Sequence, residues 1–405
     1  MLLARQAGQR ILEGTLAGET LGADAALHLL TADSVGLGQL AEAAWQLREQ
    51  GKGRAITYSP KVFLPLTNLC RDRCGYCTFR RDSGDAGAQW MEPDEVLAVA
   101  RKGEERGCME ALLSLGDRPE AAFPEAREWL RARGFERTLD YVAFISDLLL
   151  RETSLLPHSN PGLMARADLE KLRETNASLG LMLESISGRT FLPGGAHEDA
   201  VDKVPEYRLR TMREAGQLQI PFTTGILVGI GESAEEIVAS LVAIREMHRQ
   251  YGHIQEVIVQ NFVPKPEIPM HGWPAPVPEY FARTVAVARM VLGPKMNIQT
   301  PPNLSPQHLE LLLDCGINDW GGISPVTRDF INPESPWPLV DELSALCRSK
   351  GLRLRPRLAV YPEYAGREVF FSPRVWKALA GRLPGQMPVR VDAEAGYSLP
   401  LAKVL

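Results

Sequence analysis

Three cysteines lie close together in the segment NLCRDRCGYCTFR, residues 68–80, and their spacing suits metal binding. Cys70, Cys74 and Cys77 form a Cys-x3-Cys-x2-Cys pattern flanked by arginines. Structural zinc usually has four protein ligands and a disulfide uses two cysteines, so three thiolates predict a metal with one open coordination position. They can hold three irons of a four-iron, four-sulfur cluster and leave the fourth iron for another ligand. Zinc with Cys108 or a histidine as fourth ligand is the alternative.

The composition restricts the class of protein. The chain has 405 residues, with 45 Lys and Arg against 50 Asp and Glu, so no basic excess indicates nucleic acid or anionic lipid as a partner. No run approaches about 18 uninterrupted apolar residues. Arg5 and Arg10 interrupt the N-terminal segment, which therefore predicts no export signal. We expect a cytoplasmic protein with reduced thiols, not associated with membranes, in which Cys108, Cys315 and Cys347 fill apolar packing positions.

Short apolar runs alternate with longer amphipathic segments, as a parallel sheet with crossover helices requires. Helix starts are predicted at Glu92-Pro93, at the capping box from Ser233 to Glu236, and at Ser305-Pro306. Eight units of about 30 residues favour an α/β fold, the (β/α)8 TIM-type barrel, over a doubly wound sheet. The predicted strands are 62–66, 111–115, 155–158, 178–183, 222–228, 256–262, 296–300 and 318–323.

Three regions are expected along the chain. Residues 1–54 form an N-terminal helical preface, residues 55–338 the barrel, and residues 339–405 a C-terminal helix and capping extension. No Ser/Gly-rich linker, charge block or internal repeat marks a second independent domain. The cysteines directly follow the first predicted strand, and active sites of TIM-type barrels lie at the C-terminal ends of the strands. The cysteine loop is therefore expected on the catalytic face.

The loop, with the aromatic Tyr76 directly before Cys77, resembles the Cys-x3-Cys-x-aromatic-Cys signature of radical S-adenosylmethionine (SAM) enzymes. The resemblance implies a barrel of the radical SAM kind and a [4Fe-4S] cluster held by Cys70, Cys74 and Cys77. It further implies that S-adenosyl-L-methionine chelates the open iron through its amino and carboxylate groups, with Tyr76 beside the adenine. A reducing electron donor is implied as a partner.

The resemblance extends to other strand ends. Gly116 and Asp117, in SLGDRPE, stand where many relatives hold the SAM amino group with Gly-Gly-Glu, a sequence from which this segment departs. Gly229 belongs to GILVGIGE, which resembles the family's G-x-I-x-G-x-x-E pattern, although a tight strand-to-helix turn is the alternative. Glu184 would meet the SAM ribose or ammonium and Arg208 the SAM carboxylate. A solvated helix-face arginine is the alternative for Arg208.

Five segments together resemble the CofG family of deazaflavin synthase subunits, over residues 62–338: PLTNLCRDRCGYCTFRR, SLGDRPE, LGLMLES, QNFVPKP and PPNLSPQHLELLLDCGINDWGGISPVT. The resemblance implies a small-molecule substrate, the adduct that a CofH-type partner enzyme makes from tyrosine and 5-amino-6-(D-ribitylamino)uracil. Cyclisation with ammonia release would give 7,8-didemethyl-8-hydroxy-5-deazariboflavin, for deazaflavin coenzyme biosynthesis, in a radical SAM carbon-nitrogen lyase or synthase. The alternatives are a CofH-like enzyme that acts on tyrosine directly and an enzyme of the menaquinone futalosine pathway.

Polar side chains near the later strand ends are candidates for binding the ribityl and uracil groups, because amides offer both donors and acceptors. His158, after an apolar run, could face the site, whereas His197 in GGAHED is expected to be exposed. No general acid or base is identified. The substrate-binding candidates are Gln260, Asn261, Gln299, Asn303, Asn318 and Asp319.

Overall fold

The computed structural model describes residues 2–382, so the predicted capping extension beyond residue 382 lies outside the described residues. Eight parallel strands form a closed barrel in chain order, because β1 pairs with both β2 and β8. The (β/α)8 barrel is thus confirmed and the doubly wound sheet excluded. The strands of the described chain are β1 (Ala55–Thr67), β2 (Glu110–Leu115), β3 (Leu156–Asn160), β4 (Ser178–Gly180), β5 (Phe222–Val228), β6 (Ile254–Asn261), β7 (Ile298–Gln299), β8 (Asp319–Ile323) and β9 (Arg353–Pro356).

Helices precede the barrel, connect its strands and follow it. The predicted N-terminal helical preface contains three helices, of which the second and third pack against two of the helices on the outside of the barrel. The helices are α1 (Leu2–Leu16), α2 (Ala23–Thr31), α3 (Leu37–Lys52), α4 (Pro93–Glu105), α5 (Pro119–Ala122), α6 (Pro124–Arg131), α7 (Thr138–Glu152), α8 (Arg166–Arg173), α9 (Pro205–Gln217), α10 (Ala234–Tyr251), α11 (Pro278–Leu292), α12 (Leu309–Asp314), α13 (Val340–Ser349), α14 (Pro362–Ala365) and α15 (Pro373–Arg382). Short 3-10 helices span Arg189–Phe191, Val201–Lys203, Pro302–Leu304, Pro306–His308 and Glu368–Phe370.

Two of the three predicted helix starts are confirmed. The hydroxyl of Ser233 accepts from the amide of Glu236, and the Glu236 carboxylate accepts from the amide of Ser233, which confirms the capping box of α10. Helix α4 begins at Pro93. Pro306 instead begins a 3-10 turn, and the α-helical part of that segment starts at Leu309. No helix within residues 2–382 is long and apolar enough to cross a membrane.

Strand β1 is longer than predicted, since it begins at Ala55. Its lower half pairs with β8 on one edge, and with β9, which was not predicted, on the other. Strand β4 is shorter than predicted, ending at Gly180, and an isolated bridge between Glu184 and Ile226 continues that edge. The extra pairing at the base of β1 ties the segment after the barrel to the barrel itself.

Along β2 and β3, side chains alternate between the helix-covered outside of the barrel and its interior. Leu113 and Ser159 are fully buried, whereas their neighbours Leu112, Ser114 and Asn160 are partly accessible. Because successive side chains on a strand point to opposite faces, and helices cover the outer face, the partly accessible residues face the interior of the barrel. We call this interior the lumen.

The N-terminal end of the lumen is filled by a buried polar network, which we call the floor. Lys61 lies 2.8 Å from a carboxylate oxygen of Glu110, and Ser59 donates to the other oxygen of that carboxylate. Arg357, which directly follows β9, binds Glu256 at 2.9 Å and Asp319 at 2.7 Å. Substrate and cofactor must therefore enter from the opposite end, where the cysteine loop lies.

Candidate active site

The cysteine loop follows β1 and is fixed to the end of β2. The amide of Arg71 donates to the carbonyl of Asp117 at 3.0 Å, and the amide of Asp117 donates to Sγ of Cys70 at 3.2 Å. A Cβ atom at Gly116 would lie 1.9 Å from the carbonyl oxygen of Leu69. Only glycine permits this approach of the two backbones, so Gly116 acts through its missing side chain.

The three thiols fit a cluster better than zinc. Burial raises the pKa of Cys74 to about 12 and also raises the pKa of Cys70, so thiolates need a bound cation to form at neutral pH. Zinc–sulfur bonds of about 2.3 Å would bring the sulfurs to about 3.8 Å from one another. Within residues 2–382 the one group of at least three His, Cys, Asp or Glu residues that each offer a ligand atom within 4.8 Å of the others consists of aspartates, so the three cysteine sulfurs do not all lie that close together. Wider spacing suits sulfurs that bind different irons.

Cys108 cannot complete a zinc site with the triplet. The amide of Met109 donates to the carbonyl of Pro60, which places Cys108 beside the lower half of β1, at the other end of the strand from the cysteine loop. Cys108, Cys315 and Cys347 are all buried among apolar side chains, as predicted. The zinc alternative with Cys108 is therefore wrong.

Tyr76 is held by a histidine that the sequence did not indicate. The Tyr76 hydroxyl lies 3.1 Å from Nε2 of His197. Nδ1 of His197 lies 3.1 Å from the hydroxyl of Thr190, which itself donates to the carbonyl of Ser187, so Nδ1 carries the proton and Nε2 accepts from Tyr76. Burial lowers the pKa of His197 to about 3, which keeps the ring neutral. The expectation that His197 is exposed is wrong, because only 1% of it is accessible.

Glu184 and Arg208 lie in one buried ionic group with Lys203. Nζ of Lys203 binds Glu184 at 2.7 Å and lies 5.8 Å from the centre of the Tyr76 ring. Burial opposes ionisation of Glu184, but Lys203 and Arg208 together lower its pKa. Arg208 is buried and donates to the carbonyls of Met182 and Asp202, so it is not a solvated helix-face arginine. Nothing in the periodicity of the sequence indicates Lys203.

Comparison with known proteins agrees with this arrangement. The radical SAM superfamily matches residues 64–244, which include the cysteine loop and the Glu184 group. The chain is 49% identical over 312 residues to the 7,8-didemethyl-8-hydroxy-5-deazariboflavin synthase of Methanopyrus kandleri, over 77% of this chain and 93% of that protein. The chain belongs to this family of radical SAM enzymes. It is also 47% identical over 378 residues to the FO synthase of Streptomyces coelicolor, over 91% of this chain and 44% of that protein, so it spans less than half of that longer relative.

Solved structures support the fold of this radical SAM enzyme. The hydrogenase maturase HydG from Carboxydothermus hydrogenoformans superposes with a TM-score of 0.69 at 20% identity, over 93% of this chain and 88% of that chain. Methylornithine synthase (PylB) superposes with a TM-score of 0.66 at 19% identity, over 85% of this chain and 97% of that chain. At these identities the likeness concerns the fold alone.

In this radical SAM enzyme Asp117 belongs to a buried group of three carboxylates. Asp72, Asp117 and Asp202 have ligand atoms within 4.8 Å of one another. One oxygen of Asp117 accepts from the amide of Leu163 at 3.0 Å, and the other is buried without a hydrogen-bond partner among the described residues. Burial, with the nearby Asp202 carboxylate, raises the pKa of Asp117 to about 7. Nε of Arg118 lies 3.8 Å from this second oxygen, beyond hydrogen-bonding distance, so the oxygen can still accept from a ligand N–H group, and its contact with SAM stays a prediction.

The raised pKa of Asp117 predicts a pH-dependent stability. Between pH 4 and pH 7 the folded state keeps a proton that the unfolded state loses, so Asp117 makes the protein less stable as the pH rises through this window. The full effect, reached above pH 7, is at most about 4 kcal/mol. Asp117→Asn should therefore raise the melting temperature of the cofactor-free protein more at pH 8 than at pH 5, measured by calorimetry.

Asp94→Asn, at an exposed position in the first turn of α4, is the matched control, because it removes one carboxylate from the surface. Its melting temperature should differ from that of the wild type by the same small amount at both pH values. An equal gain for Asp117→Asn at pH 5 and pH 8 would show that its pKa in the folded protein is ordinary.

Gly229 lies in a turn after β5 whose backbone conformation favours glycine. Its φ of 99° is in the left-handed region, and the carboxylate of Glu232 accepts from the amides of both Gly229 and Ile230, at 2.7 and 2.8 Å. The GILVGIGE motif is thus a strand-to-helix turn that Glu232 holds in shape. Both the turn and the contact with SAM implied by the family are compatible with this geometry.

The structure brings some of the predicted substrate residues towards the open end of the barrel. Gln260 and Asn261 are the last two residues of β6. The side chain of Asn261 donates to the carbonyl of Leu304 and accepts from the hydroxyl of Ser305. Asn303 donates to Asp329 at 2.9 Å, while its buried Oδ1 has no partner among the described residues. Gln299 lies deeper, beside Gly321.

Asn318 and Asp319 are not brought to the cysteine loop. They stand at the start of β8, where Asp319 pairs with Thr57 near the base of β1. Asn318 accepts from Arg289 and the amide of Ile298 and donates to Asn297, so its amide is fully used. Asp319 binds Arg357 in the floor. Both side chains form their hydrogen bonds within the protein. They lie away from the site because the first residues of a strand are at the opposite end of the barrel.

Proposed function

We propose that this enzyme carries out the cyclising step of deazaflavin formation. Its substrate is the adduct of tyrosine and 5-amino-6-(D-ribitylamino)uracil supplied by a separate CofH-type enzyme, and its product, with release of ammonia, is 7,8-didemethyl-8-hydroxy-5-deazariboflavin. The observation that carries the proposal is the 49% identity to a synthase of that name over 93% of its length. The chain contains one cysteine triplet, which supports one radical reaction in this polypeptide.

Each part of the site has a task in this proposal. Cys70, Cys74 and Cys77 hold the cluster, and Tyr76, positioned by His197, lies against the adenine. When bound, the reduced cluster and SAM supply a 5′-deoxyadenosyl radical that takes a hydrogen atom from the substrate.

The other residues bind and shield the reactants. The remaining SAM contacts are assigned to Gly116, Asp117, Glu184, Arg208 and Gly229. Burial of Asp117, Glu184 and Arg208 would keep the charged methionine part away from water. Gln260, Asn261, Gln299 and Asn303 have amides at or below the open end of the lumen and are assigned to the substrate. The closed barrel keeps water from the reacting atoms.

The test is an anaerobic assay with reconstituted cluster, dithionite, SAM, tyrosine and the diaminouracil, with and without CofH. Deazaflavin fluorescence only in the presence of CofH is the expected result. Product without CofH would show that the chain acts on tyrosine itself. Formation of 5′-deoxyadenosine without any deazaflavin would reject the substrate, and the absence of both in protein that carries the cluster would reject the proposal altogether.

A further inference from the structure

His158 lies between the floor and the lumen. It is on β3, level with Leu112 of β2, and shares a strand face with Asn160, which is partly accessible from the lumen. Only 6% of His158 is accessible. The imidazole is therefore at the bottom of the space that a substrate would fill.

The hydrogen bonds of His158 fix its tautomer. Nδ1 lies 2.5 Å from the hydroxyl of Ser178, and that hydroxyl donates to the carbonyl of Ala359 at 2.9 Å. Since the Ser178 proton is already used, the hydroxyl accepts from Nδ1, and a neutral ring then carries its lone pair on Nε2. Nε2 has no hydrogen-bond partner in the part of the chain that the structure describes.

The free nitrogen points away from the floor. Nε2 lies beside Gly180, where a Cβ atom would be only 3.0 Å away, and Gly180 is two residues closer to the open end of the barrel than Ser178. A side chain at position 180 would cover Nε2. Glycine leaves a space into which a ligand atom can fit.

The floor beneath this acceptor holds its own charges in place. Lys61 of β1 binds Glu110 of β2 at 2.8 Å, and its side chain packs against Gly322, where a Cβ atom would lie 2.3 Å from Cε of Lys61. Despite burial, Lys61 lowers the pKa of Glu110 to about 2, so Glu110 does not need a proton from the histidine. Burial lowers the pKa of His158 to about 4, an effect that Glu110 opposes and that Lys61 and Arg357 reinforce.

We propose that His158 Nε2 accepts a hydrogen bond from the imide N–H of the uracil ring of the substrate. The imide edge presents one N–H group between two carbonyl oxygens, and a fixed acceptor at the bottom of the lumen matches that N–H group. The inference rests on the proposed function and adds the orientation of the substrate: the uracil ring lies on the floor, with the tyrosine-derived part nearer the cysteine loop. His158 thereby acts as a specificity-determining residue that remains an acceptor throughout the physiological pH range.

The first test compares His158→Phe, which has no acceptor, with His158→Gln, whose amide oxygen can reach the position of Nε2. Leaving a buried substrate N–H unpaired should raise KM for the CofH-made adduct by about 10- to 100-fold in His158→Phe, with kcat reduced much less. His158→Gln should recover most of the lost affinity. His253→Phe is the matched control, because His253 is buried but binds the carbonyl of Met212, outside the lumen.

A fall in kcat with unchanged KM, or an equal loss in the Gln and Phe variants, would overturn the inference. If the wild-type enzyme gives no deazaflavin from the adduct, the proposed function fails and the inference fails with it. If the wild type is active and His158→Phe is unaffected, only the inference fails.

The second test needs neither cofactor nor substrate. The protein is labelled with ¹⁵N-histidine, and the Nε2 signal of His158 is assigned as the one that is absent from the spectrum of His158→Phe. This signal should have the chemical shift of an unprotonated nitrogen, and the shift should not change between pH 8 and pH 5.5. Among the charged groups that face the ring, Lys61, Glu110 and Arg357, the pKa of Glu110 is lowered to about 2 and that of Arg357 is raised, so neither of these two changes charge over this range. Titration near pH 6.5, or a proton on Nε2, would overturn the inference.

Discussion

Replacing Cys74 by alanine should remove the cluster and with it the cleavage of SAM. Loss of a residue that merely supports a metal ligand typically costs about 10- to 100-fold in affinity or activity, so loss of a ligand should cost more than about 100-fold. Burial keeps the Cys70 thiol protonated without the cluster, since it raises the pKa of that thiol. The measurement is iron content and 5′-deoxyadenosine formation after anaerobic reconstitution, with the absorbance near 400 nm as a direct report of the cluster.

Cys108→Ala is the control, since Cys108 is buried beside the lower half of β1 and lies apart from the loop. It should keep full iron content and SAM cleavage. An iron-free, zinc-containing wild-type protein, or a Cys74→Ala variant that retains the 400 nm absorbance, would contradict the assignment of the triplet to an iron–sulfur cluster.

Replacing Arg357 by methionine should destabilise the protein more than any other single change considered above. The guanidinium binds both Asp319 and Glu256 in the floor and stacks 4.1 Å from the Tyr361 ring. Removing one partner of a buried ionic group leaves uncompensated charge, at a cost of about 3–5 kcal/mol. The melting temperature should fall by roughly 4 to 6 °C, measured by calorimetry on the cofactor-free protein.

Arg353→Met is the control, because Arg353 is exposed on the same strand segment. It should change the melting temperature by little. Adding Asp319→Asn and Glu256→Gln to Arg357→Met should restore part of the loss, since the variant then buries no unpaired carboxylate. A small effect of Arg357→Met alone would mean that water solvates the floor carboxylates.

The sequence allowed the barrel and the metal site to be predicted because both depend on local patterns. The alternation of strands and helices is predicted by apolar runs that are separated by helix starts, such as the capping box at Ser233. Cys70, Cys74 and Cys77 directly follow a strand. This order puts them at the C-terminal end of that strand, which is the catalytic end of the barrel, for any register between neighbouring strands. Gly116 was chosen by resemblance, because it stands where relatives hold the SAM amino group, and its contact with Leu69 was not predicted.

Other parts of the site depend on residues far apart in the chain. The partner of Glu184 is Lys203, and the partner of Tyr76 is His197, which is 121 positions away. Neither side chain belongs to a periodic pattern or a motif, so no local signal distinguishes it from an exposed loop residue. Their burial and charge state follow only from the folded arrangement.

The direction and register of the strands decide the remaining assignments. Polar residues at a strand's first positions, such as Asn318 and Asp319, lie at the floor, whereas those at its last positions, such as Gln260, lie near the site. The sequence by itself determined the alternation of elements and the chemistry of the cysteine loop, since these are properties of neighbouring residues. Only the tertiary structure decided that Arg357 neutralises the floor and that His158 turns a free nitrogen towards the lumen, because both result from contacts between distant strands.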